Sequence, residues 1–154
     1  MPVTTRLFTI AVIALVIFSC SKDDMSSNPK GIVKFKSYTA AGGLRPLIFV
    51  DGSIRFIVEL QLNGTRQNLN ADVTYHLLDG EQKLREGKVK VNQNLDGGLG
   101  MFWGSEEHSV AIDMSALSGK TLTIYLDPSH ALTASEYTTQ TYIDLYKKAS
   151  ITIP

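Results

Sequence analysis

Residues 54–62 read Ile54-Arg55-Phe56-Ile57-Val58-Glu59-Leu60-Gln61-Leu62, "IRFIVELQL". Every second residue, from Ile54 through Phe56, Val58 and Leu60 to Leu62, is apolar, and the intervening positions hold Arg55, Ile57, Glu59 and Gln61. Successive side chains of an extended backbone point to opposite faces, so this period of two describes one buried face and one mostly wet face. The expectation is a single strand over 54–62.

The same period recurs on both sides of it. Val33 and Phe35 alternate in "IVKFKSY", and Val73, Tyr75 and Leu77 alternate in "ADVTYHLLD". Asp79-Gly80 reads as a turn, with a strand to follow over 84–91. Val110, Ile112 and Met114 continue the theme, and Leu122, Ile124 and Leu126 follow Ser118-Gly119. The last segment, 137–153, reads as one strand broken near Lys147-Lys148. A helix over 131–146 is the alternative there, opposed by its threonines. Asn63-Gly64 is a hairpin signal, which would pair the strands on either side of it. No long 3.6-residue period and no internal repeat appears.

Seven strands at close spacing, with Gly, Asn and Asp at the joins, resemble an immunoglobulin-like β-sandwich in architecture. The disulfide pair of antibody domains is absent, because the chain has one cysteine, and the one tryptophan, Trp103, falls in a Gly-rich stretch instead of the third strand. A jelly roll is the alternative, since "IDMSALSGKTLTIYLD" also resembles a strand-turn-strand unit of carbohydrate-binding jelly rolls.

The amino terminus carries an address. Arg6 precedes the apolar run 7–18, "LFTIAVIALVIF", and Ser19-Cys20 closes it. At about 1.5 Å per residue the run spans roughly 18 Å, short of the roughly 30 Å hydrocarbon core, which fits a signal-peptide core better than a permanent transmembrane helix. Ile17-Phe18-Ser19-Cys20 resembles the lipobox of bacterial lipoproteins. Ile17 and Ser19 match the branched and small positions, and Phe18 is bulkier than the family's usual residue. The resemblance implies cleavage before Cys20, a diacylglycerol on its thiol and acylation of its new amine. Stable anchoring takes more than one acyl chain. Ser21 stands where an inner-membrane retention signal would have Asp, and Lys22-Asp23-Asp24 resembles the surface-export signal of Bacteroidetes-type lipoproteins. These resemblances imply an outer-membrane lipoprotein displayed at the cell surface, with a periplasm-facing anchor as the alternative.

The expected organisation is therefore a signal peptide over 1–19, a lipidated cysteine and polar tether over 20–30, and a β-sandwich domain over 31–154. A flexible tether of ten residues spans roughly 17–19 Å on average. With Cys20 lipidated, the mature chain has no thiol for a disulfide or a thiolate metal site.

If the seven strands alternate in direction, the connections 63–70, 92–106 and 127–136 share one end, and the tether leaves from that end too. The middle connection places Met101, Phe102 and Trp103 among Gly97, Gly98, Gly100 and Gly104. These three residues are the candidate contacts for a partner or ligand. Two readings stand for them. The aromatics fold back to plug the end of the sandwich, or they sit exposed, where a Trp face stacks on a sugar ring or anchors in a partner's pocket.

Charge and motifs bear on the remaining function classes. Fifteen basic and fifteen acidic residues cancel, so there is no concentrated basic face for nucleic acid. His76, His108 and His130 have no zinc-ligand spacing, and no nucleophile elbow or phosphate loop occurs. Asp96 and Asp127 are the acidic loop residues that could meet calcium, without the spacing of a calcium loop. The expectation is a non-catalytic binding or accessory module with no cofactor and no metal, anchored to the membrane and acting on another envelope protein. A surface glycan-binding module is the second reading and a small hydrolase the third.

Overall fold

The computed structural model describes residues 31–128, 131 and 146–154. Cys20, the signal peptide, the tether, His130 and most of the 127–147 connection fall outside the described residues. Twelve strands and one short helix occur within them: β1 Gly31–Phe35, β2 Tyr38–Ala40, β3 Gly43–Arg45, β4 Ile48–Val50, β5 Ser53–Phe56, β6 Val58–Leu62, β7 Ala71–Asp79, β8 Gln82–Asn94, β9 Phe102–Ser105, β10 His108–Ala111, α1 Met114–Leu117, β11 Thr121–Asp127 and β12 Lys148–Thr152.

The chain is all-β. A seven-stranded antiparallel sheet runs in the order β1-β6-β9-β8-β7-β11-β12, a three-stranded sheet in the order β10-β5-β4, and β2-β3 form a separate hairpin. The two larger sheets enclose one core. Phe56, from the small sheet, sets its ring 5.8 Å from Phe35 on β1 and 5.6 Å from Tyr75 on β7, both edge-on.

The alternation over 54–62 holds throughout. Ile54, Phe56, Val58 and Leu60 are 0% exposed and Leu62 is 7% exposed. Yet the stretch is two strands. It breaks at Ile57, where the chain leaves the small sheet for the large one. The apolar phase survives the break because both sheets wrap the same core. The segment 102–111 makes the same crossing beside it, as β9 and β10. From the pair Leu60↔Trp103 to the pair Phe56↔His108 the chain advances four residues on one strand and five on the other. The extra residue is a bulge at Glu106-Glu107, the device by which strands turn a corner between sheets. A bulge leaves a ladder amide without its carbonyl. Here the buried Ser105 hydroxyl accepts from the Val58 N–H at 3.0 Å and donates to the Glu106 carbonyl at 2.6 Å.

Three expectations change in detail. Twelve strands replace seven, divided seven, three and two, because the crossing splits 54–62, because 38–50, with its glycines and proline, holds three short strands, and because 102–105 forms a strand inside the expected 92–106 connection. Asn63-Gly64 does not join paired strands: β6 lies between β1 and β9, and β7 lies between β8 and β11. Met114 belongs to α1, whose first turn is capped by the Asp113 carboxylate accepting from Ser115 N–H at 3.0 Å. The Asp79-Gly80 turn holds, with Gly80 at φ 60° between the paired Asp79 and Gln82.

One topological consequence positions the working surface. Six antiparallel steps separate β1 from β12, so the two edges of the large sheet run in the same direction. The sheet curls until the end of β1 and the start of β12 line one groove.

Candidate functional site

The connection 95–101 is a closed structure. Leu95 N–H donates to the Phe102 carbonyl at 2.9 Å and shuts the hairpin. Inside it the Asp96 carboxylate accepts three backbone N–H groups: Gly100 at 2.8 Å, Met101 at 2.7 Å and Phe102 at 3.0 Å. The Asn94 side-chain oxygen accepts from Gly98 at 2.8 Å and Asp96 at 3.2 Å. Desolvation would raise the Asp96 pKa, but the three amides and Asn94 together hold it below the ordinary carboxylate value. Both carboxylate oxygens are thus committed to amides, so Asp96 serves as a loop lock and its calcium reading is not carried forward. Gly97, Gly98 and Gly100 all have positive φ, which the lock requires.

Of the three candidate contact residues, the structure takes Trp103 away from the surface. It pairs with Leu60 in β9, is 4% exposed, and donates its indole N–H to the Gly100 carbonyl at 3.0 Å. The exposed-aromatic expectation is corrected there: a buried ring has no face for a sugar or a partner's pocket. Alternation decides it, since Trp103 shares the inward phase with Ser105 while the half-buried Phe102 takes the other. Met101 is half-buried as well. What the loop does display is Leu95 and Leu99, 45% and 62% exposed. The connections 63–70 and 95–101 do share an end, tied by Leu62 N–H to the Met101 carbonyl at 2.7 Å and Arg66 N–H to the Gly100 carbonyl at 2.9 Å.

The groove at the sheet's seam has different chemistry. It encloses about 390 Å³ and is lined by Lys34, Phe35, Lys36, Ser37, Pro46, Glu59, Tyr146 and Lys148. Lys34 lies on the outer face of β1, out of phase with buried Val33 and Phe35, and exposed Lys36 directly follows the strand. The Lys34 ammonium sits 3.7 Å from Glu59. Across the groove, Lys148 opens β12 with its ammonium 5.5 Å from the centre of the Tyr125 ring, and the buried Lys147 before it reaches the same ring at 4.5 Å. Among the described lining residues three are lysines and one, Glu59, is a carboxylate, and two sheet edges border the groove. Such a groove can hold an extended, acidic segment, with side-chain charge for orientation and edge backbone for hydrogen bonds.

The remaining candidates are structural by their contacts. His76 Nδ1 lies 3.1 Å from Glu86, which also takes the Lys83 ammonium at 2.7 Å, a contact that keeps the Glu86 pKa low. Burial lowers the pKa of His108, whose ring packs against Phe56 and Tyr75. Glu107 joins the hairpin β2-β3 to the small sheet, accepting from Tyr38 Oη at 3.0 Å and Arg55 at 3.3 Å. Burial first, then this contact with Glu107, pushes the Tyr38 phenol well above its ordinary pKa. No group of three or more metal-ligating side chains occurs among the described residues.

Sequence reasoning missed the groove. The outward placement of Lys34 and Lys36 was legible from the alternation of Val33 and Phe35. That Lys148 joins them, more than a hundred residues later, depends on the curl of the sheet. Comparison with protein-family models and with curated proteins finds no match.

Proposed function

We propose that this chain is a lipid-anchored, non-catalytic accessory module of the bacterial outer membrane that holds an acidic, extended segment of another envelope protein. The observation that carries the reading is the seam groove, about 390 Å³, bordered by two sheet edges and by Lys34, Lys36 and Lys148. The lipobox resemblance at 17–20 supports the anchor, and Lys22-Asp23-Asp24 supports display at the cell surface. The glycan reading rested on an exposed Trp103 and has lost that support.

The energetics divide between two sources. Exposed ion pairs contribute about 0.2–1 kcal/mol each, so the lysines set orientation and association rate more than affinity. Backbone pairing at a sheet edge and burial of the segment's alternate side chains supply the rest.

Affinity purification of the lipidated protein from its native membranes tests the reading. The wild-type chain retains a specific envelope protein, whose retention weakens as salt rises. The double variant Lys36→Glu with Lys148→Glu retains roughly tenfold less of it while folding normally. Equal recovery by both would remove the groove from the binding surface.

A further inference from the structure

Two exposed leucines stand at the end of the molecule where the chain enters the fold. Gly31, the first described residue, pairs with Leu62, and Leu62 N–H donates to the Met101 carbonyl at 2.7 Å. One strand and one hydrogen bond therefore separate the chain's point of entrance from the locked loop. Of the five exposed large hydrophobic residues among those described, two, Leu95 and Leu99, lie in that loop. Asp96 and Asn94 use the loop's amides internally, so what it turns outward is apolar side chain and glycine backbone.

We infer that this loop rests on the lipid surface, with Leu99 and then Leu95 seated among the headgroups, and so fixes the orientation of the domain on the bilayer. The inference rests on lipidation at Cys20. Ten residues, 21–30, separate Cys20 from Gly31, so the length of chain alone limits Gly31 to within about 35 Å of the anchored cysteine. A tether of that reach keeps Gly31, and with it the 95–101 loop, close to the membrane. The acyl chains hold the protein there, since one chain alone binds marginally and two bind stably. The loop's part is orientation: a rigid apolar tip costs little entropy to seat because its backbone is already locked. With this end on the bilayer, the seam groove, lined by the end of β1 opposite Gly31 and by the start of β12, lies toward the side away from the membrane.

Leu44 provides the internal control. It is 71% exposed on β3 of the β2-β3 hairpin, paired with Thr39. That hairpin follows the opposite end of β1 and is held to the small sheet through Tyr38 and Glu107.

The native sequence has one cysteine, at position 20, so an introduced thiol is unique once Cys20 is acylated. The test uses full-length Leu99→Cys and Leu44→Cys chains, each lipidated, labelled with bimane and reconstituted into phosphatidylethanolamine–phosphatidylglycerol vesicles containing spin-labelled lipid. Bimane at position 99 is expected to shift to the blue and to be quenched at least about threefold more than bimane at position 44. Intact-mass measurement of the same samples separates the two ways of failing. Acylated Cys20 with equal, weak quenching at 99 and 44 overturns the lipid contact alone. A bare thiol at Cys20, or residues 1–19 still attached, overturns both the anchor and the contact built on it. Strong quenching at 44 and none at 99 overturns the stated orientation.

Discussion

The 95–101 loop and the seam groove both carry residues that could pass for binding chemistry, and they use them in opposite ways. In the loop, the polar groups are turned inward. Asp96 takes three amides, Asn94 takes two, and the Trp103 indole donates to Gly100. In the groove, Lys34, Lys36 and Lys148 surround an open volume, with Glu59 the one carboxylate among the described lining residues. The loop spends its hydrogen-bonding capacity on its own shape, whereas the groove lines an open volume with charged side chains. A polar residue type in a glycine-rich loop is thus poor evidence of a site until its partners are known.

Breaking the loop from within gives the largest effects. Trp103→Ala removes a fully packed indole between the sheets and lowers stability by about 3–5 kcal/mol, read as a shift in the chemical-denaturation midpoint. Gly100→Ala comes next. Its φ is 78°, and a Cβ there would run into the Arg66 carbonyl, so strain and displacement together cost about 2–5 kcal/mol. An exposed aromatic loop would tolerate both changes within about 0.5 kcal/mol, and that result would undo the comparison.

Asp96→Asn sharpens it. Three backbone amides lose a charged acceptor, and amide exchange at Gly100, Met101 and Phe102 accelerates roughly tenfold while the rest of the sheet keeps its protection. The Asp96 pKa is held below its ordinary value of 3.8 in the folded protein. The stability it provides is present above that pH and is lost as the pH falls through the folded-state value. In the Asn variant this part of the acid limb is flat. The smallest effect on stability belongs to the groove: Lys36→Glu with Lys148→Glu changes it by no more than about 0.5 kcal/mol, measured by thermal melting, since these side chains sit at the surface.

The same contrast explains how much could be read beforehand. The alternation in 54–62 was enough for the all-β class and for which side chains enter the core, because burial follows the pleat even where the strand turns a corner. It could not show the corner itself. Ile57 continues the pattern without a mark, and the bulge sits on the partner strand, at Glu106-Glu107. Trp103 was ambiguous because its glycine neighbours suit a mobile tip and a locked turn equally. The discriminating residue, Asp96, reads in the sequence as a loop acid that could meet calcium, and its three amide partners are visible only in the fold. The groove was out of reach for a simpler reason: its two walls are the first and last strands of the large sheet, and which edges meet depends on how far seven strands curl.

The most direct test places a photo-crosslinking amino acid in the lipidated full-length chain at Ser37, inside the groove, and separately at Leu99, on the loop, followed by irradiation of native membranes. Position 37 is expected to capture one envelope protein through an acidic peptide, and position 99 to capture lipid. Protein adducts from position 99 with none from position 37 would contradict the account, moving the binding surface from the seam of the sheet to the loop.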